Sequence, residues 1–222
     1  MEWLSAFGFA CMYLPAQFES HDPHMARQIM RDHPFASLIS VDEDACPFVT
    51  HLPLHWEAGE GDGHHGVLLG HCAMGNPHWK YLRARSQAVV TFMGPHAYMS
   101  PKVYPDLARV PTWNYIAVHC TVDAQVLDGE PAKDALLKQL IEDHEPAYAA
   151  QWRGLSTDYT EKMLRGIVAF SLEIKSLKCK LKVNQHRPEA HQRMLEVYDA
   201  GDPNAQALAA WMRQLGLGLA PA

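Results

Sequence analysis

From Trp113 to Val122 apolar and polar positions alternate with period two, so this segment reads as a β-strand, continuing to Leu127. Ile116, Val118, Cys120 and Val122 fall on one face, which is an ordinary core face. Trp113, Tyr115, His119 and Thr121 fall on the other. That second face is a wide aromatic and polar platform, of the kind that receives a planar ligand or a partner subunit. The stretch before it, from Gly94, spaces Tyr98 and Tyr104 among Pro95, Pro101, Pro105 and Pro111. Prolines at that density exclude a helix.

The periodicity elsewhere gives a succession of short elements. Residues 21–33 read as an amphipathic helix, with Ser20 or Asp22 as cap, Pro23 in the first turn and Met25, Ile29 and Met30 as its buried stripe. Pro34 ends it. A strand over 35–41 leads through the acidic turn Asp42-Glu43-Asp44 to a second strand over 47–56. There Phe48, Thr50, Leu52, Leu54 and Trp56 oppose Val49, His51, Pro53 and His55. Residues 58–66 carry four glycines in nine positions and read as a flexible loop. A third strand covers 67–70, and Asn76-Pro77 opens a helix to Arg85 that turns Trp79 and Leu82 inward. Residues 88–93 make a buried strand. Residues 130–151 make a longer helix, with Leu136, Leu137, Leu140 and Ile141 on one face. A short helix over 158–164 precedes the last strong strand, 167–177. From Pro188 the chain is helical in two pieces, broken at Gly201-Asp202-Pro203. Strands joined mostly by turns suit an antiparallel barrel with helical decoration, and suit an α+β sandwich about equally.

Composition narrows this. A chain of 222 residues, 48% apolar and 20% charged, is that of a soluble globular protein with room for a substantial core. No run approaches the ~18–20 apolar residues that a membrane-spanning helix needs. Cys11, Cys46, Cys72, Cys120 and Cys179 are scattered and odd in number, which points to reduced thiols and a cytoplasmic location. A net charge of −6 argues against a nucleic-acid footprint over the whole surface, and neither a zinc-finger spacing nor a helix-turn-helix is present.

Four constellations could carry chemistry. Gly70-His71-Cys72-Ala73-Met74-Gly75-Asn76-Pro77 passes from strand to helix, a junction whose free N–H groups suit a phosphate; it also reads as a plain turn with Asn76 as N-cap. Lys178, Lys180 and Lys182 alternate along one face and, with Gln185 and Arg187, form the most basic patch of the chain. They suit an electropositive wall for a phosphate, or edge-strand protection. Thr50 and His51 lie mid-strand, where they could meet the polar edge of a planar ring, although Thr50 is also simply a good strand former. Trp113 with Tyr115, and Tyr98 with Ser100, could wall the same crevice or pack as core aromatics. The 14 histidines invite a metal, but His51 and His55 at strand spacing stand ~13 Å apart, so no metal site is expected.

The blocks GPHAYMSP, VPTWNY and GHCAMGNPHW resemble the PaiB-like family of FMN-binding negative transcriptional regulators. Met12-Tyr13-Leu14-Pro15 with Phe18, Thr50-His51-Leu52-Pro53, and the late Lys182, Gln185 and Arg187 fit the same pattern, in order, from Met12 to Leu217. The family's late block usually reads K-L-S-Q-N-R; here Asn184 stands for its Ser and His186 for its Asn. The resemblance implies an FMN-binding split barrel, an antiparallel Greek-key-like barrel of about six strands with peripheral helices. It would span residues 12–187, after an extension over 1–11 that is disordered or loosely packed, with a helical annex over 188–222. It further implies a homodimer with FMN in the crevice between subunits, held by Thr50, His51, Leu52, Gly70, His71, Asn76, Tyr98, Ser100, Trp113, Tyr115, Lys182, Gln185 and Arg187. The implied role is regulatory or sensory. Alternatives are a small FMN-dependent oxidoreductase and, third, a haem-handling protein, since related split barrels include both. The acidic chain is not expected to read DNA directly.

Overall fold

The alternating positions of the chain become strands, and the sheet they form positions everything else. The structure, a computed structural model, describes residues 12–59, 64–106 and 108–218. The expected extension over 1–11 and the centre of the glycine loop, 60–63, lie outside the described residues. In chain order come β1 (Glu19–Ser20), α1 (Pro23–Asp32), β2 (Phe35–Val41), β3 (Pro47–Pro53), β4 (His55–Glu57) and β5 (Val67–Ala73). After these come α2 (His78–Ala84), β6 (Gln87–Met99), β7 (Thr112–Leu127), α3 (Glu130–His144), α4 (Ala149–Gly154) and α5 (Thr157–Arg165). The chain closes with β8 (Ile167–Lys182), α6 (Pro188–Asp199) and α7 (Pro203–Gln214). Hydrogen bonds order the strands β3-β2-β6-β7-β8-β5-β4, with β1 also on β8. Six of the eight have seven residues or more, and these fall where the pattern predicts strands.

Several elements differ from the sequence reading; β5 runs to Ala73 rather than residue 70, and β8 to Lys182 rather than residue 177. The strand expected over 47–56 is broken at Leu54, whose N–H bonds the carbonyl of Pro34 outside the sheet. Pro53, with no N–H to offer the ladder, marks that break. The helix expected to reach residue 151 ends at His144, because Pro146 starts a separate 3₁₀ turn before α4. The buried strand over 88–93 instead runs on to Met99, carrying Pro95 within it. In α2 the inward residues are His78 and Leu82, each 1% exposed, while Trp79 is half-buried under Lys80 and Arg83.

The chain forms two units, one from residues 33–92 and 119–177, the other from the described parts of 1–32, 93–118 and 178–222. In the first, Leu38, Leu52, Leu68, Val90, Phe92, Cys120, Val122, Phe170 and Leu172 are buried. β5 pairs β8 with Gly70 opposite Phe170, and β3 lies against β5. The fit at Gly70 is close: a Cβ there would stand 2.4 Å from Leu54 Cδ2 and 3.1 Å from Leu52 Cδ1, so those side chains would have to shift. On the other face, Leu136 and Leu140 of α3 cover Ala169, joined by Leu69 and Leu127.

In the second unit α6 packs on α7, and Ile29, Met30, Ile116, Val118, Met194, Leu208, Ala209 and Met212 are buried. Asn114, also buried, donates from Nδ2 to Tyr198 Oη at 3.0 Å and lies 3.4 Å from Met99 Sδ. The tyrosine hydroxyl is pushed up to about 12 by burial, so it stays protonated. Gln214 donates to Gln28 at 2.9 Å, tying α7 to α1.

Phe170 is fully buried at the centre of β8. Phe170→Ala is expected to destabilise the protein by about 3–5 kcal/mol, read as a lower urea midpoint with an unchanged slope.

Candidate functional site

The second unit gathers the late basic block. Lys178, Lys180 and Lys182 alternate on β8, as expected, but they meet different fates. Lys178 is spent on Glu19 at 3.0 Å. Lys180 is buried, and its ammonium donates to the Tyr13 carbonyl at 2.9 Å. It also sits 5.6 Å from the Tyr13 ring and 5.2 Å from the Tyr115 ring. Lys182 donates to Thr112 Oγ1 at 2.6 Å and to the Trp113 carbonyl at 2.5 Å, with the Tyr115 ring 5.8 Å away. Burial, together with Lys180, lowers its pKa. Two ammonium groups are thus held around one aromatic ring by neutral acceptors, and neither is ion-paired among the described residues.

Beside them lies a cavity of about 310 Å³, lined in part by Lys182, Asn184, His186, Arg187, Tyr104 and Arg109. Among the described residues, no carboxylate lines it. The turn that frames it is built by the block itself. Asn184 has φ 61°, a left-handed conformation that Asn tolerates better than Ser. Its Oδ1 accepts from Tyr104 Oη at 3.2 Å, and its carbonyl is bonded by His191 Nε2 at 3.0 Å. Gln185 is consumed by backbone, its Nε2 donating to the carbonyls of Leu181 and Gln17 and its Oε1 accepting from the Val183 N–H. It therefore shapes the turn and ties residue 17 to it. Phe18 packs edge-on against His186, ring centroids 5.6 Å apart.

The aromatic platform is narrower than its alternation implies. Trp113 is 53% exposed and Tyr98 52%, their rings 6.2 Å apart, with His96 5.7 Å from Trp113. Tyr115, His119 and Thr121 on the same face are half-buried, and Ala117 between them is buried. Ser100 accepts from the Lys102 N–H, so its hydroxyl caps the 3₁₀ turn at 101–103.

The remaining expected residues lie in the first unit. Thr50 Oγ1 accepts from Asn76 Nδ2 at 3.1 Å and is bonded to His78 Nδ1 at 2.7 Å; the opposite ring nitrogen, Nε2, is bonded to Ser40 Oγ at 2.9 Å. Asn76 Oδ1 accepts from the His78 N–H, so the side chain of Asn76 is occupied within this network. His51 is exposed and bonded to Ser37 Oγ at 3.0 Å, next to Phe35, while Leu52 is buried. Gly70 is closed off by packing, as above. His71 pairs with Ala169, and its Nδ1 is buried without a partner. His78, the hub of the network, carries no signal in the sequence beyond following Asn76-Pro77. Its partner positions, Ser40 and Thr50, are separated from it by 38 and 28 residues. Burial of the Cys179 thiol pushes it up to about 12, so it is inert at neutral pH.

Known proteins agree with this architecture. Residues 12–176 match the family model described as "Putative FMN-binding domain". Over 208 residues, 90% of this chain and 96% of the relative, the sequence is 32% identical to the Protease synthase and sporulation protein PAI 2 of Bacillus subtilis. The Flavocytochrome Anf3 from Azotobacter vinelandii shares the fold with a TM-score of 0.59 and 18% identity, over 74% of this chain and 69% of that one. The FAD and Heme binding protein from Mycobacterium smegmatis gives a TM-score of 0.56 and 18% identity, over 74% and 73%. The fold class is the α+β split barrel, an eight-stranded antiparallel sheet with helices around it. The chain belongs to the FMN-binding family that its residues 12–176 match, and FMN is the cofactor of that family. No helix among the described residues is long and apolar enough to cross a membrane.

Burial lowers the His78 pKa to about 4 from an ordinary 6.5. Between those values the unfolded chain binds a proton that the folded chain refuses, so the stability held by the neutral ring is complete above pH 6.5 and drains away towards pH 4. Urea midpoints at pH 4.5 and 7 should show the parent losing about 2 kcal/mol more than a His78→Asn variant. Equal losses would mean that the ring titrates normally.

Proposed function

We propose that this protein is a cytoplasmic, homodimeric FMN-binding regulator or sensor, with the flavin phosphate seated on the basic end of β8. The observation that carries this reading is the pair Lys180 and Lys182, clustered around Tyr115 with neutral acceptors and, among the described residues, no carboxylate. Burying positive charge in this way is costly unless an anion arrives to balance it. A flavin phosphate brings nearly two negative charges. The residues present fit the group: cations line a cavity of about 310 Å³, and a buried guanidinium nitrogen, Arg109 Nε, has no acceptor among the described residues. Bound FMN supplies redox chemistry of its own, and the chain's part is to hold and tune it. Lys182 and Arg187 face the phosphate, Gln185 and Asn184 hold the turn that presents them, and Trp113 with Tyr98 offers a flat apolar surface to the ring or to the partner subunit.

The exposed pair Trp113 and Tyr98 supports a homodimer, since aromatic surface of that kind is seldom left in water. An obligate interface buries more than ~2,000 Å² in total. The net charge of −6 supports sensing through the flavin rather than direct reading of DNA.

Lys182→Glu places a negative charge against the phosphate and should weaken FMN by at least ~2 kcal/mol, roughly thirtyfold. Lys162→Glu, exposed on α5, should leave affinity unchanged. Titrating FMN fluorescence against both variants tests this, and equal affinities would displace the phosphate from β8. Light scattering at micromolar concentration should return a dimer. In air, NAD(P)H should leave the bound flavin oxidised; sustained bleaching would make the protein an oxidoreductase instead.

A further inference from the structure

Arg109 lies in the proline-rich stretch between β6 and β7, one residue before VPTWNY, and lines the cavity beside Lys182 and Arg187. Its guanidinium stacks over the Tyr104 ring at 4.9 Å, which fixes its plane. Nη2 pairs with Asp106 at 2.9 Å and lies 3.7 Å from Glu189 Oε1. Nε is buried and has no acceptor among the described residues. The same Glu189 oxygen lies 3.9 Å from Arg187 Nη1. One carboxylate oxygen is therefore shared between two arginines, and neither distance is that of a hydrogen bond. A guanidinium has five donors in a fixed fork, which suits a phosphate better than one distant carboxylate oxygen.

We propose that Arg109 is a third phosphate-binding cation of the FMN site, and that Glu189 is an internal competitor that holds Arg109 and Arg187 until the phosphate takes them. This rests on the reading that Lys182 faces the flavin phosphate. Tyr104 has a double duty in it: the ring orients Arg109, while the hydroxyl donates to Asn184 in the turn that carries Arg187. The phosphate would exchange the loose contacts of Glu189 for direct, charge-assisted ones, with Asp106 remaining on Nη2.

Riboflavin, which has the ring and lacks the phosphate, separates the possibilities. Titrations of the full chain with FMN and with riboflavin would compare the parent with Arg109→Gln, Glu189→Gln and Lys182→Glu, each checked for folding by its urea midpoint. Arg109→Gln should weaken FMN about tenfold and leave riboflavin unchanged. Glu189→Gln should tighten FMN about threefold, again without effect on riboflavin. Equal weakening of both ligands by Arg109→Gln would make it a structural residue and overturn the proposal, as would no weakening of either. Weaker FMN binding in Glu189→Gln would remove its role as competitor. Unchanged FMN affinity in Lys182→Glu would overturn the reading beneath, whereas an effect in Lys182→Glu without one in Arg109→Gln would overturn only this inference.

Discussion

Strand β8 has to satisfy two incompatible environments along sixteen residues, and much of the structure is arranged around that demand. Its first half is apolar on one face, where Val168, Phe170 and Leu172 are buried; on the other, Ala169 lies under Leu136 and Leu140 of α3, ahead of Ser171 and Glu173. Its last residues carry three lysines, one of them almost wholly buried. An ammonium group taken out of water needs acceptors, and here they come from far along the chain, from the carbonyls of Tyr13 and Trp113 and the hydroxyl of Thr112. The N-terminal segment and the start of β7 are thereby fixed in place by the need to solvate those charges.

This arrangement gives a physical reason for the separate sequence blocks to occur together. Tyr13, Phe18, Trp113 and the 182–187 turn look unrelated in sequence, yet the structure brings them to the end of one strand. The opening block supplies a carbonyl to Lys180 and another to Gln185, and Phe18 packs on His186.

Much of the fold was legible from local pattern, because the strands alternate cleanly and prolines and glycines mark the breaks between elements. β7 begins within a residue of its expected start, β2 matches its expected span, and Asp202 caps α7 at the expected break. What was not legible depended on partners distant in sequence. The break at Leu54 follows from a bond to Pro34, and nothing in the alternation of 47–56 announces it beyond Pro53. The inward turn of His78 rather than Trp79 is decided by two hydroxyls on other strands. In the candidate site, charge and spacing pointed to Lys182 and Arg187, while Arg109 sits in an irregular segment whose periodicity carries no information. Gln185 and Ser100 were expected at a ligand, and both are seen bonding backbone.

The bonds that complete the second unit join residues 167, 168 and 186 positions apart, Tyr13 with Lys180, Gln17 with Gln185 and Gln28 with Gln214. Closing loops of that length carries a large entropic cost before any contact rewards it. The other unit draws on residues 33–92 and 119–177, so it can assemble while the last stretch of chain is still emerging from the ribosome. The basic end of β8 then forms on a unit already assembled, and a flavin that binds there would act as a late fastener, holding together segments that lie far apart in the chain.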